Sequence, residues 1–438
     1  MRRIPRIAAL LMTTGLTTLT LATPPAHADD NSVYRALDGA ATTTDDQLAT
    51  LRFWLGPNLD SAAKLQRPFG AAAYTANNDT KEHTDYAGKV PNKRENVPDA
   101  GDAGKLYTGT GAIAKTAGKL FYVETGTAPT QSDSNDKPGD YNYLGQKLPQ
   151  PADPDDPWVD VTAFTRTVSG GTTTDSWTGV CSADSVDSAN RSTIMSAGHC
   201  TEASHVLSKT GDPSYTSVQM SKWIFIPGYV GITDHGATGT DTSLSQAAPY
   251  GVWVAGHVYT TPYWDDWARG QAGRDTESLD LNAFGYDVAA MTVADPQHPG
   301  SRLADVVGSQ HVAFNAPANQ NITAFGYPQG PNPQFGQYYG GRSPAVCAGS
   351  SFGDVAGTGS TGAGGVPGLQ DHGLWCTLTE GASGGPMLYD YDSSTGTGTQ
   401  ISVISFKEPL GTSGLYVMGP QFGSVVEGVY DAIGALTP

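Results

Sequence analysis

Short runs of β-branched and aromatic residues recur through the chain, most of them bounded by Gly, Pro, Asp or Ser. They fall at Gly118–Val123, Val159–Val168, Ser192–Ser196, Lys222–Ile226, Gly251–Tyr259, Val288–Val293, Ala313–Gly326, Pro386–Tyr391 and Ile401–Phe406. Many short strands without helical periodicity between them restrict a chain to antiparallel barrels or sandwiches, and the 54 glycines suit the turns such folds need. A helical spacing emerges after Pro420, where Phe422, Val425, Val426, Val429, Tyr430 and Ile433 share one face. That pattern predicts a C-terminal amphipathic helix packed on an all-β body.

At 438 residues the chain exceeds what one compact core usually absorbs, so a leader or accessory segment is expected before the β body. Residues 1–28 read as a signal peptide: a basic MRRIPR start, an apolar run from Ile7 to Ala22, then Ala26-His27-Ala28. The run is too short, and too interrupted by threonines and Gly15, to favour a membrane span. Residues 29–109 are polar, with one helix-like patch at Asp45–Trp54 and a charged run at Lys81–Asp102 that offers little to bury, and read as a propeptide or N-terminal arm. Residues 110–438 hold the strands.

Export puts the four cysteines in an oxidising compartment, where they read as disulfides. CxxC and HExxH are both absent, and neither Asp153/Asp155/Asp156 nor the pair Asp265 and Asp266 has the spacing of a calcium loop, so no metal is expected and both acidic groups read as solvated. The Gly353–Gly368 loop lacks the Gly-Lys-Ser/Thr ending of a phosphate-binding loop. Net charge is −18, and −21 once Arg2, Arg3 and Arg6 leave with the leader. A field of that sign excludes nucleic acid and anionic membrane as partners.

Two motifs carry chemistry. Ser196-Ala197-Gly198-His199-Cys200 follows a β-branched stretch, and a disulfide from Cys181 to Cys200 would pin the loop bearing His199. Gly381-Ala382-Ser383-Gly384-Gly385 sets one serine among glycines, which permits a sharp turn, bares the hydroxyl and aims the N–H groups of Gly381 and Ser383 at one point, as an oxyanion hole requires. The pattern also satisfies G-x-S-x-G, but that order needs a histidine after the serine, and none lies beyond His372. His199 therefore precedes Ser383, with the acid between them. Of Asp275, Asp280 and Asp287, only Asp287 directly starts an apolar strand, where a carboxylate can be desolvated against an imidazole N–H.

On these motifs, with Phe225-Ile226-Pro227-Gly228-Tyr229, Pro249–Trp253 and Phe325–Pro328, residues 110–438 resemble the secreted trypsin-like serine peptidases, specifically the bacterial glutamyl-endopeptidase-like branch. The resemblance implies two six-stranded antiparallel barrels of the chymotrypsin type, His199 and Asp287 from the first and Ser383 from the second. It implies a second disulfide, Cys347 to Cys376, and a secreted, monomeric enzyme that cleaves proteins or peptides without a cofactor. Pocket walls would include Thr377, Leu378, Thr379, Ser405 and Phe406, none of them an acid for a basic side chain. Ile404-Ser405-Phe406 lacks the histidine of the glutamyl-specific members, so glutamate preference is not carried over. Ala382 stands where the trypsin group has aspartate, so activation cannot use that residue's ion pair with a freed N-terminus. The rival expectations are a catalytically silent secreted binding protein on the same fold, and an esterase using the same three groups.

Overall fold

The computed structural model describes residues 33–56, 102–126, 165–169, 172–206, 215–231, 244–270, 281–317, 319–328, 331–332, 337–339, 341–354, 371–410 and 414–438. The expected signal peptide lies outside them, as does most of the charged run. No helix among the described residues is long and apolar enough to cross a membrane.

Among the described residues, twelve strands form the body. The first six are β1 (Ala117–Gly126), β2 (Thr172–Val186), β3 (Thr193–Ser196), β4 (Tyr215–Pro227), β5 (Trp253–Thr260) and β6 (Ala289–Ala294). They pair antiparallel in the circuit β1-β2-β3-β6-β5-β4, and β4 returns to β1, so the ladder closes into a barrel with no free edge in the circuit. Leu120 and Tyr122 of β1 point into the barrel, with Cys181, Ala183, Ile194, Phe225 and Met291. Phe121 and Val123 point the other way, into a second apolar layer with Ile224, Ile226 and Tyr327. β1 is thus buried on both faces, which explains its unbroken run of large apolar side chains.

The other six are β7 (Asn321–Gly326), β8 (Ala345–Ser350), β9 (Asp371–Trp375), β10 (Pro386–Asp392), β11 (Thr397–Val403) and β12 (Gly414–Pro420). Their pairing is split between two sheets: β8-β7-β10-β11 lie in one, and β9 and β12 pair in another. Two links complete the circuit. The Cys347–Cys376 disulfide ties β8 to the end of β9, with 5.6 Å between Cα atoms. Single hydrogen bonds, Ser405 N–H to Met418 O and Phe422 N–H to Ile401 O, tie the end of β11 to β12. Ile322, Ala324, Leu374, Met387, Ile401 and Val417 fill the space enclosed.

Helix α1 (Thr44–Leu55) covers the helix-like patch expected at Asp45–Trp54. Thr43 caps it by accepting the Asp46 N–H, and Gly56 ends it at φ +90°. The helix puts Leu51, Trp54 and Leu55 fully inside, against Phe121 and Val123, and the Trp54 indole donates to Lys222 O at 2.7 Å. Arg35–Ala36 adds to β5, and Asp102–Leu106 adds to β8. The arm therefore seals the outer face of the first barrel and also joins the second. Helix α3 (Ser424–Gly434) is the expected C-terminal helix; Val426, Val429 and Ile433 turn inward, onto the core of the first barrel.

Candidate active site

His199 sits in a single 3₁₀ turn, Gly198–Cys200, directly after β3. Thr201 donates both its N–H and its hydroxyl to Gly198 O, at 2.8 and 2.6 Å, which tightens the turn. A glycine is needed at 198, because a Cβ there would lie 2.7 Å from Trp264 Cδ1 and 3.0 Å from Asp287 Oδ1. The expected Cys181–Cys200 disulfide is formed, 6.2 Å between Cα atoms, and anchors the turn to β2.

Asp287 stands two residues before β6 and is fully buried. Its carboxylate accepts the His199 backbone N–H at 2.7 Å on one oxygen and faces His199 Nδ1 at 2.7 Å with the other. The Ser405 hydroxyl donates to that second oxygen. Three hydrogen-bond partners thus converge on this buried carboxylate, two of them from His199. Burial pushes the His199 pKa down, but the charge of Asp287 and its hydrogen bond together outweigh that and raise it above the usual 6.5. Nδ1 is held as the proton-bearing nitrogen, which leaves Nε2 as the ring's acceptor.

Helix α2 (Pro262–Gly270) backs the histidine turn. The Trp264 ring lies 6.3 Å from the His199 ring, and its indole N–H donates to Glu202 O at 3.1 Å. Glu202 is buried, and its pKa is pushed well up by burial and by Asp265. Asp265 corrects an expectation: its side chain is 1% exposed rather than solvated, because α2 turns it inward to a hydrogen bond with Arg269 and to within 3.6 Å of Arg35 from the arm. Asp266, at 63%, is solvated as read.

Ser383 lies in a turn where Gly381 has φ +90° and Gly384 φ +81°. Gly384 is also pressed from outside: a Cβ would stand 2.1 Å from Ser196 Oγ and 2.3 Å from Ser182 O. The turn is bonded to its own barrel by Gly384 N–H to Ile404 O and Ile404 N–H to Gly385 O, at 2.7 and 2.8 Å. It is bonded to the first barrel by Ser182 N–H to Ser383 O, 2.7 Å, and Ser182 Oγ to Gly381 O, 2.8 Å. The Ser383 carbonyl also lies 4.0 Å from Cys200 Sγ, so the serine turn and the histidine turn abut. Neither the Gly381 N–H nor the Ser383 N–H meets an acceptor among the described residues.

The pocket candidates divide. Ser405, read as a wall, turns its hydroxyl to Asp287. Thr377 is buried with its hydroxyl 2.9 Å from Tyr339 Oη. Phe406 is half-buried, its ring 5.1 Å from Phe284. The contacts of Ser182, Ser405 and Trp264 carry no mark in the sequence; each forms between segments far apart in the chain.

No family model matches the chain, and no curated protein matches it. Among solved structures it is similar to the protease Anisep from Arthrobacter nicotinovorans, at 24% identity over 76% of this chain and all of that one, TM-score 0.43. It is similar also to the thermostable serine protease AL20 from an extremophilic microorganism, at 22% identity over 74% of this chain and all of that one, TM-score 0.42. A Glu endopeptidase aligns at 15% identity over 62% of this chain and 90% of its own, TM-score 0.34.

Proposed function

We propose that the protein is a secreted serine endopeptidase that works through an acyl-enzyme. The observation that carries the reading is the buried Asp287 carboxylate bonded to both the backbone N–H and Nδ1 of His199, beside a serine turn whose two N–H groups have no acceptor among the described residues. A carboxylate so placed selects the imidazole tautomer that can accept a proton at Nε2.

Ser383 Oγ attacks the scissile carbonyl while His199 Nε2 takes its proton. The carbonyl oxygen becomes an oxyanion on the N–H groups of Gly381 and Ser383. When the C–N bond breaks, His199 returns the proton to the leaving amine, and the acyl group stays on Ser383. Water then attacks the ester, its proton passing through His199 back to Ser383 Oγ, and the carboxylic acid leaves. Two disulfides support an exported chain. The steps use side chains and backbone alone, and the substrates are proteins or peptides.

The test is labelling of the secreted protein with a fluorophosphonate probe, followed by peptide mapping. Adduct on Ser383 that vanishes in Ser383→Ala supports the reading. Folded wild-type protein that takes no label overturns it.

A further inference from the structure

Ser182 is buried on β2, one residue after Cys181. Four hydrogen bonds converge on it. Its N–H donates to Ser383 O at 2.7 Å and its Oγ to Gly381 O at 2.8 Å. The same Oγ accepts the Tyr327 N–H at 2.8 Å, and its carbonyl accepts the Ser196 hydroxyl at 2.8 Å. One hydroxyl thus joins two backbone groups of the second barrel, from Gly381 and from Tyr327, which follows β7 directly. An alanine or valine at 182 would leave both without this partner.

Peptide units are planar. Holding the carbonyls of Gly381 and Ser383 fixes the planes on either side of the Ala382–Ser383 peptide, whose N–H is that of Ser383. The same residue is referred to the histidine turn in two ways: Ser196 closes β3 just before that turn, and Cys181 is bonded to Cys200.

We propose that Ser182 is a positioning residue for the oxyanion site, its hydroxyl holding the Gly381 peptide so that the N–H groups of Gly381 and Ser383 converge and stay in register with His199. The inference rests on the reading of Ser383 as nucleophile. The backbone N–H contact would survive any side chain; the hydroxyl bridge needs an oxygen that donates and accepts at once. Its contribution falls on the transition state, because a misaimed donor weakens the oxyanion more than the bound substrate.

The experiment compares wild type with Ser182→Ala and Ser182→Thr, using a peptide substrate and a peptide aldehyde, whose adduct with the serine places an oxyanion in the same site. For Ser182→Ala, kcat is expected to fall roughly 10- to 100-fold with KM within about threefold, less than the roughly 10²–10³-fold cost of losing an oxyanion donor outright, because both N–H groups remain and only their aim is loosened. Aldehyde affinity should weaken by the same factor as kcat, and Ser182→Thr should restore both. Lost packing alone would lower the melting temperature without moving aldehyde affinity. If Ser182→Ala does not fold, Ser182→Cys replaces it, since a thiol is a weak donor and acceptor of similar size. A folded variant without the hydroxyl that keeps kcat and aldehyde affinity within about twofold overturns the proposal. Wild type unlabelled at Ser383 by the fluorophosphonate overturns the nucleophile reading itself, and this inference with it.

Discussion

Replacing Gly384 with alanine tests whether the serine turn is held by the close approach of the two barrels. At φ +81° an added Cβ meets its own backbone, which costs about 1–2 kcal/mol. The same Cβ would lie 2.1 Å from Ser196 Oγ, 2.3 Å from Ser182 O and 2.9 Å from Ala197 N. The Ser196 hydroxyl can rotate, but the other two are backbone atoms, one in β2 and one just past the end of β3, so the turn has to retreat by roughly 1 Å. Overpacking of that kind costs about 1–3 kcal/mol. The sum, about 2–5 kcal/mol, is a large share of the 5–15 kcal/mol that holds an ordinary domain. Urea unfolding followed by tryptophan fluorescence should show the midpoint lowered with an unchanged slope. Since the retreat carries Ser383 away from His199, turnover should fall by about 10²-fold or more. A midpoint equal to wild type together with turnover within twofold would refute the argument that contact between the barrels sets the turn.

Two further predictions concern titration. His199 must be neutral to accept a proton, and Asp287 raises its pKa, so the acid limb of kcat/KM should lie above pH 6.5; in Asp287→Asn any residual activity should show that limb moved to lower pH, and a limb that stays put would count against the pairing. His372 is buried with neither ring nitrogen hydrogen-bonded among the described residues, and burial pushes its pKa down to about 4. Below pH 6.5 the unfolded chain binds a proton there that the folded chain refuses until about pH 4, so stability should decline across that window by about 3 kcal/mol. Urea midpoints at pH 7 and pH 4.5 should differ less in His372→Leu than in wild type; equal differences would place the acid sensitivity elsewhere.

Much of the candidate site was legible because the chemistry proposed for it rests on short contiguous motifs. His199 beside a cysteine and Ser383 among glycines are local statements, since each turn needs particular neighbours for its own backbone. The order of the two excluded a serine-first arrangement, and the apolar strand after Asp287 marked it out from Asp275 and Asp280. Strand alternation and the C-terminal helical spacing were legible for the same reason: periodicities of two and 3.6 residues record which face is buried. Even the covering helix α1 showed its spacing, although what it covers did not.

Partners distant in sequence had no such signature. Ser182 is 199 residues from Gly381, and Ser405 is 118 from Asp287. Serine is an ordinary residue at both positions until the barrels bring a carbonyl or a carboxylate to it. The same holds for Trp264 behind His199, for Asp265 turned inward to two arginines, and for a polar arm that seals the first barrel with Leu51, Trp54 and Leu55. The sequence by itself marked eight of the twelve body strands, the histidine and serine turns and Asp287 as the candidate acid, because these follow from backbone preference and nearest neighbours; it gave no sign of Thr172–Val186, Ala345–Ser350, Asp371–Trp375 or Gly414–Pro420 as strands. Only the tertiary structure decided which hydroxyls orient those groups and how the second set of strands divides into two sheets, because both depend on contacts whose free energy exists once distant segments are already packed together.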